Sequence, residues 1–185
     1  MKRYLGLKRA ISLIDGFKNA RVLVIGDLIM DHFIWGKVRR ISPEAPVPVV
    51  EVTSESLMLG GSANVVNNIH SLNGRASITG VIGRDDDGKK LVNSLKALGL
   101  ETNGVVVDAK RPTTIKTRII AHSQQVVRFD REKKDALSPE ITAKVLAYIR
   151  SAVRSTDVVV ISDYAKGLVS EPLVAETSAL CRKAG

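Results

Sequence analysis

The chain has 185 residues, of which 44% are apolar and 25% charged, and this composition excludes a disordered polypeptide and is typical of one globular domain. Its formal net charge is +9, but the basic residues are scattered and only 4% of residues are aromatic, which argues against nucleic-acid binding. A single cysteine excludes an intramolecular disulfide, and no apolar run is long enough to span a membrane, so we expect a cytoplasmic protein.

Four short apolar runs predict strands that are buried on both faces, as in a parallel sheet. The first is the run Val22–Ile25, and the others fall at residues 76–82, 105–107 and 158–161. Apolar residues at helical spacing predict helices over residues 5–18, 62–72, 86–98 and 139–154, and from about 170 onward. Ser138 is the predicted N-cap of the fourth of these helices. This alternation predicts an α/β doubly wound sheet.

Two stretches interrupt the alternation, residues 33–52 and 113–130. Both contain many β-forming residues but no continuous apolar run, and the second has a predicted turn at His122-Ser123. Three prolines, at positions 43, 46 and 48, confine any strand in the first stretch to a sheet edge or to strand ends. We therefore predict two β-ribbons that project from the main sheet.

The segment 83–90, Gly-Arg-Asp-Asp-Asp-Gly-Lys-Lys, comes close to the pattern of a phosphate-binding P-loop. It lacks the final Ser or Thr that would bind Mg²⁺, and its three aspartates would repel phosphate. We expect instead a tight turn in which Asp85 or Asp86 caps the following helix. The three histidines have no metal-ligand spacing, so we expect no metal site.

Two glycines, Gly60 and Gly61, precede the helix predicted at residues 62–72. They allow a ligand to approach the backbone, and the helix directs unpaired N–H groups towards it. Asn64, one turn further on, can donate to and accept from hydroxyl groups. A Gly-Gly turn before a helix is also common without a ligand.

Acidic and basic side chains follow two of the predicted strands, at the end where open α/β sheets bind ligands. Asp27 and Asp31 follow the first strand, where their carboxylates could accept hydrogen bonds from sugar hydroxyls. A turn cap at Asp27 and a solvated side chain at Asp31 remain equally open. Asp163 and Lys166 follow the fourth strand and could meet a hydroxyl and a phosphate, or lie in a solvated loop.

These segments resemble the ribokinase-like, or PfkB, carbohydrate kinases. The resemblance rests on Gly-Gly-Ser-Ala-Asn at 60–64, Gly-Asp-x-x-x-Asp at 26–31 and the proline-bearing stretch. More narrowly, residues 40–50 (Arg-Ile-Ser-Pro-Glu-Ala-Pro-Val-Pro-Val-Val), 124–130 and 162–167 resemble heptose-7-phosphate kinases, the N-terminal halves of bifunctional ADP-heptose synthases in lipopolysaccharide biosynthesis. The resemblance covers about residues 10–185 and implies that residues 1–185 form the front part of a ribokinase-like domain with a β-lid.

The resemblance implies ATP- and Mg²⁺-dependent phosphorylation of D-glycero-beta-D-manno-heptose 7-phosphate at its anomeric hydroxyl. Asp31 matches the family's sugar-binding aspartate, and Gly60, Gly61 and Asn64 match its substrate-binding glycines and asparagine. Asp163 is expected to make a further sugar contact, with Asp27 beside it. Partners for the 7-phosphate are expected among four basic residues, Lys116, Arg118, Arg128 and Lys166.

The family's general base is the aspartate of a Gly-Ala-Gly-Asp segment, and no Gly-x-Gly-Asp occurs after residue 61. We therefore expect the catalytic base and most of the nucleotide site to lie beyond Gly185. The chain alone is then expected to bind ATP and Mg²⁺ weakly and to be inactive.

The resemblance also implies that the two ribbons cover the sugar as a lid and form a homodimer. The residues expected to pack against a second copy are Phe33, Ile34, Trp35, Ile119 and Ile120. The alternative is a non-catalytic sugar-phosphate-binding or dimerisation module, with nucleic-acid binding the weakest interpretation of the charge.

Overall fold

The computed structural model describes residues 5–184, which form two four-stranded sheets and five α-helices. The main sheet has the strand order β5-β4-β1-β8, and all neighbouring strands are parallel. Its strands are β1 (Arg21–Gly26), β4 (Arg75–Gly83), β5 (Val105–Asp108) and β8 (Val158–Ser162). These bounds confirm the positions of the four predicted strands. The central strands β1 and β4 are mostly buried, whereas the edge strands β5 and β8 are mostly half-buried.

The second sheet has the order β3-β2-β6-β7. Its strands are β2 (Leu28–Ile41), β3 (Pro48–Gly60), β6 (Thr114–Ala121) and β7 (Gln124–Arg131). Strands β2 and β3 form an antiparallel hairpin, as do β6 and β7, and the two hairpins are joined by parallel pairing of β2 with β6. The two predicted ribbons are therefore the two halves of one sheet.

The helices are α1 (Leu7–Gly16), α2 (Gly61–Ser71), α3 (Asp86–Ala97), α4 (Pro139–Ala152) and α5 (Glu171–Ala184). The two predicted caps are confirmed. The Asp85 carboxylate accepts a hydrogen bond from the Gly88 amide at 2.8 Å, and Ser138 Oγ accepts from the Ile141 amide at 3.4 Å. None of the described helices is both long enough and apolar enough to cross a membrane.

The core lies on both sides of the main sheet, which is why its strands are continuously apolar. On one side, Val24 packs with residues of α2 and α3 such as Val66 and Leu95. On the other, Leu23 packs with residues of α4 and α5 that include Ile149. All five side chains are fully buried.

The first ribbon is longer than residues 33–52, because β2 begins at Leu28 and β3 ends at Gly60. The prediction was wrong here because residues 28–30 are buried in the core and also pair as a strand. In the sequence these residues stand beside Gly26 and Asp27, where a turn was expected. A single residue, Asp27, separates the main sheet's β1 from the second sheet's β2.

Candidate functional site

The candidate site lies where the carboxyl ends of β1 and β8 meet the base of the second sheet and the start of α2. Pairing register puts Asp31 beside Lys116 and Phe33 beside Arg118, so these side chains share one face of the second sheet. We call it the Asp31 face. The opposite Ile34 face carries Ile34, Leu57 and Phe129.

Asp31 is the best-defined acidic group on the Asp31 face. Arg118 Nη1 donates a hydrogen bond to Asp31 Oδ1 at 2.6 Å, and both side chains are about one-fifth exposed (21% and 23%). Gly60 pairs across the hairpin with Ile29, two residues before Asp31, and a Cβ atom at this glycine would overlap the Asp31 carboxylate. The glycine at position 60 therefore makes room for this carboxylate.

Three basic side chains form a row on the Asp31 face. Register places Arg128 opposite Arg118, and Asp130 opposite Lys116. Arg128 Nε lies 3.1 Å from Asp130 Oδ1, while the Arg118 guanidinium stacks over the ring of Phe33 at 5.2 Å. The arrangement brings together three of the four basic residues predicted to meet a phosphate.

The start of α2 supplies the glycine and asparagine predicted for substrate binding. Gly61 has a φ of +55°, a left-handed conformation that favours glycine, and a Cβ atom there would overlap the backbone oxygen of Asp27. The Ser62 amide donates to that same oxygen at 3.0 Å. Asn64 is exposed in the first turn of the helix.

The loop after β8 approaches the second sheet from the main sheet. The Lys116 ammonium lies over the ring of Tyr164, 5.9 Å from its centre. Asp163 is exposed, and its Oδ1 atom accepts from the Ala165 amide at 2.7 Å. Asp27 lies beneath this loop and is 4% exposed. Its carboxylate accepts hydrogen bonds from backbone amides of the loop. The sugar contact predicted for Asp27 stays a prediction.

Lys166 is directed away from the basic row. Its ammonium forms an ion pair with Glu132 Oε2 at 2.8 Å, and both side chains are largely buried. The hydrogen bond from Lys166 lowers the pKa of the Glu132 carboxyl, which favours the ionised pair. A phosphate contact by Lys166 would require this buried pair to break.

Arg111 belongs to the same region and carries no local sequence signal. Its Nη1 donates to the Lys166 carbonyl oxygen at 3.0 Å and its Nη2 to the Asp135 carbonyl oxygen at 2.8 Å. Its Nε lies 3.3 Å from Asp108 Oδ2. The contacts with Lys166 and Asp135 join segments that are far apart in the sequence, so no short motif could have revealed them.

The described residues do not fit a nucleotide–metal site. Within residues 5–184, no three His, Cys, Asp or Glu side chains are grouped in a way that could hold a metal ion. The loop that resembles a P-loop is closed by Asp85, whose carboxylate also accepts from the Thr113 amide at 2.8 Å and its hydroxyl at 2.6 Å. It therefore offers a carboxylate where a phosphate would need donors.

A cavity of about 570 Å³ opens on the Ile34 face, between the second sheet and the start of α3. Its floor is apolar, with Ile34, Leu57 and Phe129, and Lys90 and Arg131 at its rim contact Asp87. It lies on the other side of the sheet from the residues predicted to bind a sugar.

Comparison with known families and curated proteins gives consistent matches. The family model described as pfkB family carbohydrate kinase matches residues 19–185. The "Bifunctional protein HldE" of Helicobacter pylori (strain J99) is 47% identical over 163 residues, which are 88% of this chain and 35% of that protein. The protein of the same name from Desulfatibacillum aliphaticivorans is 44% identical over 169 residues, again 35% of its length. The chain thus spans about a third of the length of these relatives.

Solved structures share the fold at low sequence identity. A carbohydrate kinase from Agrobacterium tumefaciens has a TM-score of 0.65 at 17% identity, over 89% of this chain and 51% of that one. Arabidopsis thaliana ribokinase complexed with ribose and ATP has a TM-score of 0.62 at 15% identity, over 90% of this chain and 51% of that one. The predicted ribokinase-like fold is confirmed.

Proposed function

This chain belongs to the pfkB family of carbohydrate kinases, and we propose that it is the sugar-binding part of a kinase that phosphorylates heptose 7-phosphate at the anomeric hydroxyl. The observation that carries the proposal is the Asp31 face, where one carboxylate lies beside a row of basic groups. A carboxylate accepts hydrogen bonds from sugar hydroxyls, whereas arginine and lysine bind phosphate. A phosphorylated sugar needs both.

Different residues of the site are assigned to the hydroxyl end and to the phosphate end of the substrate. Asp31 holds the hydroxyl end, with Arg118 fixing the carboxylate in place and Gly60 leaving space for it. Lys116 and Arg128 meet the phosphate end. Gly61 and Asn64 complete the hydroxyl end at the start of α2, where helix N–H groups are available.

The family implies ATP as the phosphoryl donor and Mg²⁺ as its metal in the complete enzyme. When bound, they supply the transferred phosphate and neutralise its charge. The described residues bind and orient the acceptor sugar, and they offer neither a set of metal ligands nor a Gly-x-Gly-Asp base after residue 61. We therefore expect a polypeptide of these 185 residues to bind the sugar phosphate without phosphorylating it. ATP turnover by that polypeptide, dependent on heptose 7-phosphate, would contradict this expectation.

The role of Asp31 is tested in the full-length protein with Asp31→Ala. Loss of a hydrogen bond to a charged group costs about 1.5–3 kcal/mol, so the KM for the sugar phosphate should rise about 10- to 150-fold. The KM for ATP should stay unchanged, because Asp31 is assigned to the sugar alone. The matched control is Asp86→Ala, which removes a highly exposed carboxylate on α3 and should change neither constant. An unchanged sugar KM in Asp31→Ala would remove Asp31 from the site.

The phosphate end is tested by comparing heptose 7-phosphate with unphosphorylated heptose. Lys116→Met should weaken binding of the phosphorylated sugar and leave the weaker binding of the free sugar unchanged. Lys144→Met, which removes an exposed ammonium on α4, serves as the control. Equal losses for the two sugars would place Lys116 outside the phosphate contact.

We further propose a homodimer, formed through the Ile34 face of the second sheet. The Asp31 face carries three basic side chains, and two copies meeting there would bring like charges together. On the Ile34 face, Leu57, Val127 and Phe129 are 40%, 46% and 54% exposed, enough to favour burial against a second copy.

The expected dimer residues do not form one surface. Register places Phe33 and Trp35 on the Asp31 face but Ile34 and Ile119 on the Ile34 face. Sedimentation of Leu57→Ser with Phe129→Ser should therefore give monomers, whereas Trp35→Ser should remain dimeric. A monomeric wild-type protein, or a dimer lost only in Trp35→Ser, contradicts this interface.

A further inference from the structure

Asp27 is the single residue between β1 and β2, and its polar groups contact three different segments. Its amide donates to the Ser162 carbonyl oxygen at 3.2 Å, and its own carbonyl oxygen accepts from the Ser62 amide at 3.0 Å. Its carboxylate oxygen Oδ2 accepts from the amides of Tyr164 at 2.8 Å and Lys166 at 3.1 Å. A carboxylate that is 4% exposed is thus committed to the backbone of the loop after β8.

The loop that Asp27 holds has an unusual backbone conformation. Ala165 has a φ of 55°, in the left-handed region that residues with a Cβ seldom adopt. Gly167 follows with a φ of 90°, and a Cβ atom there would overlap the Asp135 carbonyl oxygen. Such conformations persist only where surrounding contacts enforce them. The amides of Tyr164 and Lys166, which flank Ala165, are the two that donate hydrogen bonds to the Asp27 carboxylate.

Other contacts fix the far side of the same loop. The Lys166 side chain is paired with Glu132, and the Lys166 carbonyl oxygen accepts from Arg111. With the backbone fixed from below and from one side, Asp163 and Tyr164 are left exposed at the top. There the Tyr164 ring meets Lys116 of the Asp31 face.

We propose that Asp27 is a positioning residue for the sugar site rather than a ligand of the sugar. Its carboxylate holds residues 163–167 in the conformation that presents Asp163 and Tyr164 to the Asp31 face. Its backbone oxygen joins the same point to the start of α2. The effect on sugar binding rests on the proposed function, whereas the effect on the loop does not.

Amide hydrogen exchange in the full-length protein without sugar tests the effect on the loop. Asp27→Ala should make the amides of Tyr164 and Lys166 exchange about 10- to 150-fold faster, the range expected for loss of hydrogen bonds to a charged acceptor. Amides inside β1, such as that of Val24, should keep their protection. Asp27→Asn keeps an oxygen acceptor of the same size and should keep most of the loop protection.

Asp85→Ala is the matched control, because Asp85 also follows a main-sheet strand and accepts from two backbone amides, those of Gly88 and Thr113. It should speed exchange at those two amides and leave residues 163–167 unchanged. Unchanged exchange of Tyr164 and Lys166 in a folded Asp27→Ala protein would overturn the proposal. If the alanine variant does not fold, Asp27→Asn decides: its amide oxygen is a weaker acceptor than a carboxylate, so Tyr164 and Lys166 should exchange measurably faster than in the wild type, and unchanged exchange there overturns the proposal.

Kinetics then separate this proposal from the proposed function. Asp27→Ala should raise the KM for the sugar phosphate about 10-fold and leave the KM for ATP unchanged, and Asp27→Asn should restore most of the loss. A faster-exchanging loop with an unaltered sugar KM would overturn the positioning role. If heptose 7-phosphate proves not to be the substrate, the proposed function fails, and the exchange data still decide whether Asp27 holds the loop.

Discussion

The main sheet and the second sheet both have four strands, but they differ in what covers them. Helices cover both faces of the main sheet, and the interior of β1 is fully buried. In the second sheet every residue of β7 is exposed, and so is most of β3. Burial of apolar surface is the main source of stability, whereas open polar groups are free to meet a ligand. The comparison indicates that the main sheet contributes most of the stability, and it agrees with the proposal that the second sheet binds the sugar.

The largest expected effect comes from making the same substitution beside each sheet. Leu95→Ala removes a fully buried side chain of α3 against the main sheet and should lower the free energy of unfolding by about 2–5 kcal/mol. Leu57→Ala, at a side chain 40% exposed on the second sheet, should cost less than about 1.5 kcal/mol. Urea denaturation of the two variants measures both values. Equal losses would mean that the second sheet contributes to the core.

A smaller effect, on recognition and not on stability, is expected at Gly60. Its φ of −118° suits any residue, but the methyl group of Gly60→Ala would displace the Asp31 carboxylate. We expect sugar-phosphate affinity to fall about 10-fold or more and the free energy of unfolding to change by less than about 1 kcal/mol. Titration calorimetry and denaturation measure the two quantities.

Gly16→Ala is the control for that glycine, since Gly16 has helical angles and open space where a Cβ would be built. It should leave sugar affinity unchanged and stabilise the protein slightly. A Gly60→Ala protein that loses stability but keeps its sugar affinity would contradict the proposal that the second sheet serves sugar binding more than stability.

The smallest effect is expected at the opposite end of the main sheet, where Arg21 and Asp157 form an exposed bidentate pair. Hydrogen bonds from Arg21 lower the pKa of the Asp157 carboxyl to about 2, below the ordinary value of 3.8 for an aspartate. The pair therefore stabilises the protein above pH 3.8, and this contribution is lost as the pH falls towards 2.

Thermal unfolding of Asp157→Asn beside the wild type at several pH values checks this expectation. The midpoints should differ slightly at neutral pH, because the pair is solvent-exposed, and should converge near the folded-state pKa. Sugar affinity should be the same in both proteins. A difference in unfolding midpoint that persists unchanged near pH 2 would mean that the ion pair is not the cause of that difference.

The same contrast explains how much the sequence could predict. Strands such as β1, predicted at 22–25 and found at Arg21–Gly26, are packed against helices on both faces and leave a continuous apolar run in the sequence. Helix caps depend on residues only three positions apart, so Asp85 and Ser138 could be recognised directly. Structure set by local pattern or by full burial was predictable.

The second sheet depends on pairing between distant segments. Asp31 and Arg118 are 87 residues apart and meet only because β2 pairs with β6, a contact that neither strand's own pattern encodes. Alternation along the strands also divided the expected dimer residues between two faces. The family motif supplied Asp31 and Gly60 as candidates, but their geometry with Arg118 required the structure.

The link through Asp27 limits how the second sheet can move. The parallel strands β2 and β6 both begin in the main domain, and the residues at their bases, Met30 and Ile115, are buried in the core. Rotation of the second sheet about Asp27 alone would remove Met30 and Ile115 from their packing in the core, so we expect little of that motion. Adjustment around a ligand must instead come from elastic bending and twisting along β2 and β6, with the largest excursions at the hairpin tips. Because the tips lie far from the bases, a small change in curvature near Asp31 produces a larger displacement at the tips.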